Sequence, residues 1–127
     1  MSNEQLEVSK TDNVVLTKSF AFAVRMLKLQ RHLVEQREFV VSKQVVRSGT
    51  AIGANVEEAV GGISRADFST KISIAYKEAR ETSYWLRLLA EGDYLESKLF
   101  QSLHEECQEL CRLLFSILRT TGRVREQ

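Results

Sequence analysis

Three side chains toward the C-terminal end have the types and spacing to do chemistry: His104, Cys107 and Cys111, arranged His-x-x-Cys-x-x-x-Cys. On a helix they share one side, so two thiolates and an imidazole could converge on a metal ion. A structural zinc site takes four ligands, however, and no other cysteine supplies the fourth, while Glu105 points away. The competing reading makes Cys107 and Cys111 small apolar core residues beside Leu103 and Leu110. As a Cys–His nucleophile the group lacks a third residue to orient the histidine. A carboxylate-bundle metal site uses Glu-x-x-His, and Leu29 stands where His32 would need its glutamate. Gly61-Gly62 is too short for a phosphate-cradling loop. The expectation is a protein without catalytic residues, metal ligands or cofactor.

A second group is polar but not obviously chemical. Arg47, Ala51, Asn55 and Glu58 fall on one side of a helix, and Gly49, Gly53, Ile52 and Val56 on another. Each interior glycine costs roughly 1 kcal/mol relative to alanine. Close approach by a neighbouring helix would offset that cost through added contact. The next helical segment carries Lys71, Glu78 and Glu81 beside Ile74, Trp85 and Leu89. We expect a polar layer joining Arg47, Asn55 and Glu58 to Lys71, Glu78 and Glu81. The alternative is a set of solvated charges, with Lys77 and Glu81 as an i,i+4 pair. Asn55, Glu58, Glu78 and Glu81 could also line a small-ligand pocket, although structural pairing explains them more simply.

The third group is basic. Lys18, Arg25, Lys28, Arg31 and His32 form a stripe with no acid among them. Repeated by cyclic symmetry, it would become a ring of positive potential able to attract phosphate oxygens of RNA or DNA. Its competing reading is a solvated helix face. No aromatic residue is interleaved with the stripe, so base stacking is not indicated there. Arg119, Arg123 and Arg125 form a second basic cluster near the C-terminus.

All these residues require helices to position them. The 127 residues include no proline and only six glycines, which helices tolerate and a turn-rich β fold does not. With 43% apolar and 28% charged residues, the chain can bury a core, and one domain is the default. A net charge of +1 means that any nucleic-acid argument must rest on local patches. No run approaches the ~18 apolar residues of a membrane span, so no membrane partner is expected. The polar N-terminus is unlike a signal peptide, and two cysteines one turn apart fit a reduced, cytoplasmic protein.

Residues 1–11 read as a loose tail, and 12–122 as the bundle. The first helix runs from a cap at Thr11 or Asp12 to about Gln36, with Leu16, Phe20, Ala23, Leu27 and Val34 as its core line. A second apolar line, Val15, Phe22, Met26, Leu29 and Leu33, lies roughly 120° away. It is either part of a wide buried face or a subunit interface. The second helix spans about Phe39 to Ala59, ended by Gly61-Gly62 through a left-handed backbone. Ser64-Arg65-Ala66-Asp67 caps the third, which runs to Gly92 with Phe68, Ile72, Ala75, Ala79, Leu86 and Leu89 inward. The fourth is capped by residues 93–96, buries Leu99, Leu103, Leu110, Leu114 and Leu118, and stops at Gly122 before a tail at 123–127. Short loops make sequential helices antiparallel neighbours, which predicts an all-α, up-down-up-down four-helix bundle.

The stretch Arg47-Ser-Gly-Thr-Ala-Ile-Gly-Ala-Asn-Val-Glu-Glu-Ala59 resembles the signature of the bacterial 23S ribosomal RNA intervening-sequence proteins. So do Ser64, Asp67-Phe68, Lys71-Ile72, Ile74-Ala75, Lys77-Glu78-Ala79 and the run Glu81 to Leu86. Many relatives carry a proline-containing turn after the first helix, where this chain has Glu35-Gln36-Arg37-Glu38. The resemblance implies a small cytoplasmic bundle that assembles into a homopentamer, and it favours the subunit interface for Val15, Phe22, Met26, Leu29 and Leu33. A similar accessory protein of diversity-generating retroelements binds a reverse transcriptase and nucleic acid. The expected function is a non-enzymatic, homo-oligomeric scaffold whose basic surfaces meet RNA, DNA or a nucleic-acid enzyme such as a reverse transcriptase. The alternative is a structural or protein-interaction module without nucleic-acid affinity.

Overall fold

The computed structural model describes residues 3–121, with side chains from Lys10 onward. Four helices follow in order: α1 (Asn3–Glu35), α2 (Val41–Val60), α3 (Arg65–Glu91) and α4 (Ser97–Thr120). Among the described residues there is no strand. Each helix packs on its two sequence neighbours and α1 also packs on α4, so α1 lies diagonal to α3 and α2 diagonal to α4. Paired contacts fix the directions. Ser19 meets Gly53 while Met26 meets Gly49, and Ser69 bonds Thr121 while Ser83 bonds His104, each pair running in opposite senses. The expected antiparallel bundle is the observed fold.

Residues 3–11 continue α1 instead of forming a tail, so neither Thr11 nor Asp12 caps it. Elongating an existing helix costs far less than nucleating one, and nothing in this polar stretch breaks helix. The expected stop at Gly122 and the tail at 123–127 lie outside the described residues.

The two apolar lines of α1 exchange roles. Val15, Phe22, Met26, Leu29 and Leu33 are at most 3% exposed and form the monomer's core, so they are not a subunit interface. Phe20, Leu27 and Val34 are instead 66%, 49% and 42% exposed. The reason is the location of α2: its small residues face Ser19 and Met26, and this turns the Val15–Leu33 line inward. A Cβ on Gly49 would come within 2.5 Å of Met26 Cγ, and one on Gly53 within 3.2 Å of the Ser19 carbonyl oxygen. The remaining helices contribute Val45, Ile52, Val56, Ile72, Leu86, Leu103 and Leu114 to the same core. At the end of α2 Ala59 is buried and Val60 is exposed.

Gly61 and Gly92 end α2 and α3 where expected, but not through a left-handed backbone: their φ angles are −83° and −82°. That conformation belongs to Arg37 (φ 63°) and Asp93 (φ 66°). At the first, Arg37 N–H donates to Val34 O and Glu38 N–H to Leu33 O, both at 2.9 Å. At the second, Asp93 N–H donates to Ala90 O and Tyr94 N–H to Leu89 O. This double bond pattern closes a helix with one left-handed residue. The α1–α2 turn therefore needs neither proline nor glycine. The Ser64 hydroxyl accepts from Asp67 N–H at 3.0 Å and starts α3 as its sequence indicates.

Candidate functional site

The α2–α3 seam pairs the polar residues of both helices. Arg47 reaches Glu78 at 3.0 Å with one nitrogen and Glu81 with another, and Glu81 also accepts from the Trp85 indole at 2.9 Å. Lys71 meets Glu58 at 3.1 Å further along. Asn55 does not join: its amide donates to Ala51 O within α2. The pairs lie at the rim, with Arg47's side chain half exposed. Below them Thr82 donates to Ser48 Oγ at 2.8 Å, and both residues are buried. Rim pairs of this kind each contribute ~0–1 kcal/mol. They set the register of two helices. On α2 the glycines and the charges occupy different sides: Gly49 and Gly53 face α1, while Arg47 and Glu58 face α3.

The basic stripe of α1 is partly neutralised by α4. Lys18 meets Glu109 at 2.9 Å, and Arg25 bonds both Glu106 and Ser102. His32 shares a hydrogen bond with Gln36, whose amide also donates to the Tyr94 carbonyl in the α3–α4 turn. Lys28 and Arg31 stay exposed. The stripe has no acid in its own sequence, but the acids lie across the seam, where one helix's periodicity does not reveal them.

His104, Cys107 and Cys111 do not converge on a point. His104 stacks on Phe100, with ring centroids 5.0 Å apart, and shares hydrogen bonds with Ser83 and Gln108. Burial, with Arg87 adding to it, lowers its pKa from the ordinary 6.5. The hydrogen bond shared with Cys111, together with burial, pushes the Cys107 thiol far up. It stays protonated, and its sulfur lies 3.2 Å from the Ala79 carbonyl oxygen. The same shared bond, with Arg80 and Arg112 nearby, holds Cys111 below the usual thiol range despite its burial. Among the described residues no three His, Cys, Asp or Glu side chains stand where they could hold a metal ion.

A further cluster becomes visible only when α3 and α4 are placed side by side. Tyr76, Arg80, Tyr84 and Arg87 line one wall of an open groove, and Gln108, Arg112, Phe115 and Arg119 the other, with Cys111 between. Glu81 is the sole acid in the lining, and it is engaged by Arg47 and Trp85. Arg80 donates to the Tyr76 hydroxyl at 3.0 Å and lies 5.9 Å from its ring centre, and Arg87 lies 6.0 Å from that of Tyr84. Tyr76 and Phe115 meet across the groove at 5.7 Å. One signal was present in the sequence, the Tyr-Arg-Tyr-Arg alternation at i, i+4, i+8 and i+11 on α3. The matching residues on α4 are unremarkable until both helices are in register.

No helix in the described residues is long and apolar enough to cross a membrane. Comparison with solved structures gives a crystal structure from Bacteroides thetaiotaomicron VPI-5482, described as a protein of unknown function from the S23 ribosomal protein family. It is 51% identical to this chain, covers 86% of it and 98% of its own length, and superposes with a TM-score of 0.84. No curated protein matches the chain. The family model for the 23S rRNA-intervening sequence protein matches residues 11–116, which span α1 almost from its first described side chains through most of α4. The chain belongs to the 23S rRNA-intervening sequence protein family.

Proposed function

We propose that the chain is a non-catalytic helical scaffold that assembles with copies of itself, as a pentamer, and offers basic surface to nucleic acid or to an enzyme acting on it. The observation that carries the assembly is the exposed line Phe20, Leu27 and Val34 on α1. Its members stand seven residues apart, and Leu16 and Ala23 fall at the intervening d-like positions. That is the pattern of a coiled-coil seam, in which an apolar strip seeks a partner helix. Water-exposed side chains of this size in one line mark an association surface more often than an accident of composition. The number five comes from the family resemblance. A symmetric ring would repeat the exposed Lys28 and Arg31 around its axis.

Light scattering across a range of concentrations tests the assembly. A defined oligomer is expected, and the double substitution Phe20→Glu/Leu27→Glu should reduce it to monomer without loss of helix. A wild-type protein that stays monomeric at every concentration overturns the scaffold. A second reading, a protein-interaction module without nucleic-acid affinity, draws support from the pairing of Lys18 and Arg25 with α4 carboxylates. Absence of salt-sensitive binding to RNA and DNA at low ionic strength would favour it.

A further inference from the structure

We infer that the groove between α3 and α4 binds a single-stranded stretch of nucleic acid, with Arg80, Arg87 and Arg112 on its phosphates and Tyr76, Tyr84 and Phe115 against its bases. The inference deepens the nucleic-acid part of the reading above and moves the contact to a different surface from the α1 stripe.

Charge is the first argument. Among the described residues no carboxylate pairs with Arg80, Arg87 or Arg112, whereas the α1 cations Lys18 and Arg25 are both so paired. The partners of Arg80 and Arg87 are a phenol hydroxyl and aromatic faces, which position a guanidinium without neutralising it. α4 separates its charges by side: Glu106 and Glu109 turn to α1, while Arg112 turns to the groove. Arg80, Arg87 and Arg112 therefore each keep a full charge for a phosphate oxygen.

Shape and ring placement are the second. From Tyr76 to Arg87 the α3 wall extends about 16 Å at 1.5 Å per residue, alternating ring and guanidinium. Tyr84 is 49% exposed, with Arg87 over its ring and Trp85 meeting it in a T-shaped contact at 5.0 Å, so the ring is held at the groove surface. Alternating cations and aromatic surfaces along a concave track suit a strand whose bases are unstacked. A duplex keeps its bases stacked within and is read by an element that protrudes into a groove, which this surface lacks.

The test is fluorescence anisotropy of labelled oligouridine and oligothymidine with the full chain, between about 50 and 200 mM salt. Single strands should bind, and log K should fall against log salt with a slope of about −2, from three phosphate contacts at about 0.7 each. R80Q/R112Q should weaken binding at least tenfold and flatten the slope by about one to one and a half. Tyr84→Ala should weaken binding about tenfold with the slope unchanged, because it removes stacking and no charge. All these positions lie on the groove surface, and unchanged circular dichroism and melting temperature verify that the variants fold.

Unaltered binding in R80Q/R112Q overturns the inference. If K28Q/R31Q on α1 alone abolishes binding, the groove is excluded and the nucleic-acid reading survives. If neither nucleic acid binds at low salt, both fail. Equal affinity for a duplex of the same length overturns the single-strand assignment. Displacement of the oligonucleotide by polyglutamate at equal charge concentration, or an altered oligomeric state in R80Q/R112Q, would assign the groove to a protein instead.

Discussion

Arg37 and Asp93 hold left-handed backbone at the ends of α1 and α3, a conformation that brings Cβ too close to the neighbouring carbonyl oxygen. Both positions are exposed, and neither side chain is needed for the two backbone bonds that close each helix. Glycine would keep those bonds and remove the clash. Arg37→Gly should therefore stabilise the protein by about 1 kcal/mol in urea denaturation. Asp93→Gly should gain less, because aspartate tolerates this conformation better than arginine. His104 supports a prediction in the opposite direction. Its pKa is lowered in the folded protein, so the unfolded chain takes up a proton more readily as pH falls below about 6.5. The stability contributed by neutral His104 is present above that pH and is lost as pH drops toward the folded value. Glutamine at this position can still bond Ser83, so His104→Gln should flatten the fall in melting temperature between neutral and mildly acidic pH. An equally steep fall would assign the proton uptake to another group.

At the level of helices, the approach of α1 to α2 decides which apolar line is core. A Cβ at Gly53 would already press on the Ser19 carbonyl, which is backbone and cannot rotate away. Gly53→Leu should cost about 1–3 kcal/mol through overpacking. A smaller loss at Gly49→Ala would fit its softer neighbour, the Cγ and Sδ of the unbranched Met26 side chain, which can shift where a backbone carbonyl cannot. The small residues and the Arg47–Glu78 and Lys71–Glu58 pairs were readable because each lies on one face of a helix with regular spacing. The two α1 lines were not separable in the same way. Both repeat with helical period about 120° apart, and only the position of α2 tells which one turns inward. Ser19 carried a hint, since a small residue beside Val15 and Phe22 marks where Gly53 can approach. The α3–α4 groove was only half legible for a related reason: α3 carries the Tyr-Arg-Tyr-Arg alternation, but the α4 half resembles an ordinary solvated face until the two helices are in register. The extension of α1 through residues 3–11 was missed because a polar stretch carries no apolar period, whereas helix continues wherever nothing stops it.

For the whole molecule, the core takes one face of α1 and leaves the line Phe20, Leu27 and Val34 exposed. Phe20, Leu27 and Val34 are too exposed to add much to the stability of an isolated bundle. If copies cover them, their burial adds to the folded state only when copies are present, and mass action makes that contribution depend on concentration. The melting temperature of the wild-type chain should then rise as protein concentration increases, with a shift of several degrees over a hundredfold range if association contributes a few kcal/mol. In the Phe20→Glu/Leu27→Glu variant the melting temperature should be independent of concentration and should match the dilute limit of the wild type, because neither residue belongs to the core. The comparison separates assembly from folding. A variant that melts well below that limit would mean that the exposed line supports the monomer itself. A wild-type curve that does not move with concentration would remove the helix-to-helix association on which a ring of repeated basic surfaces depends.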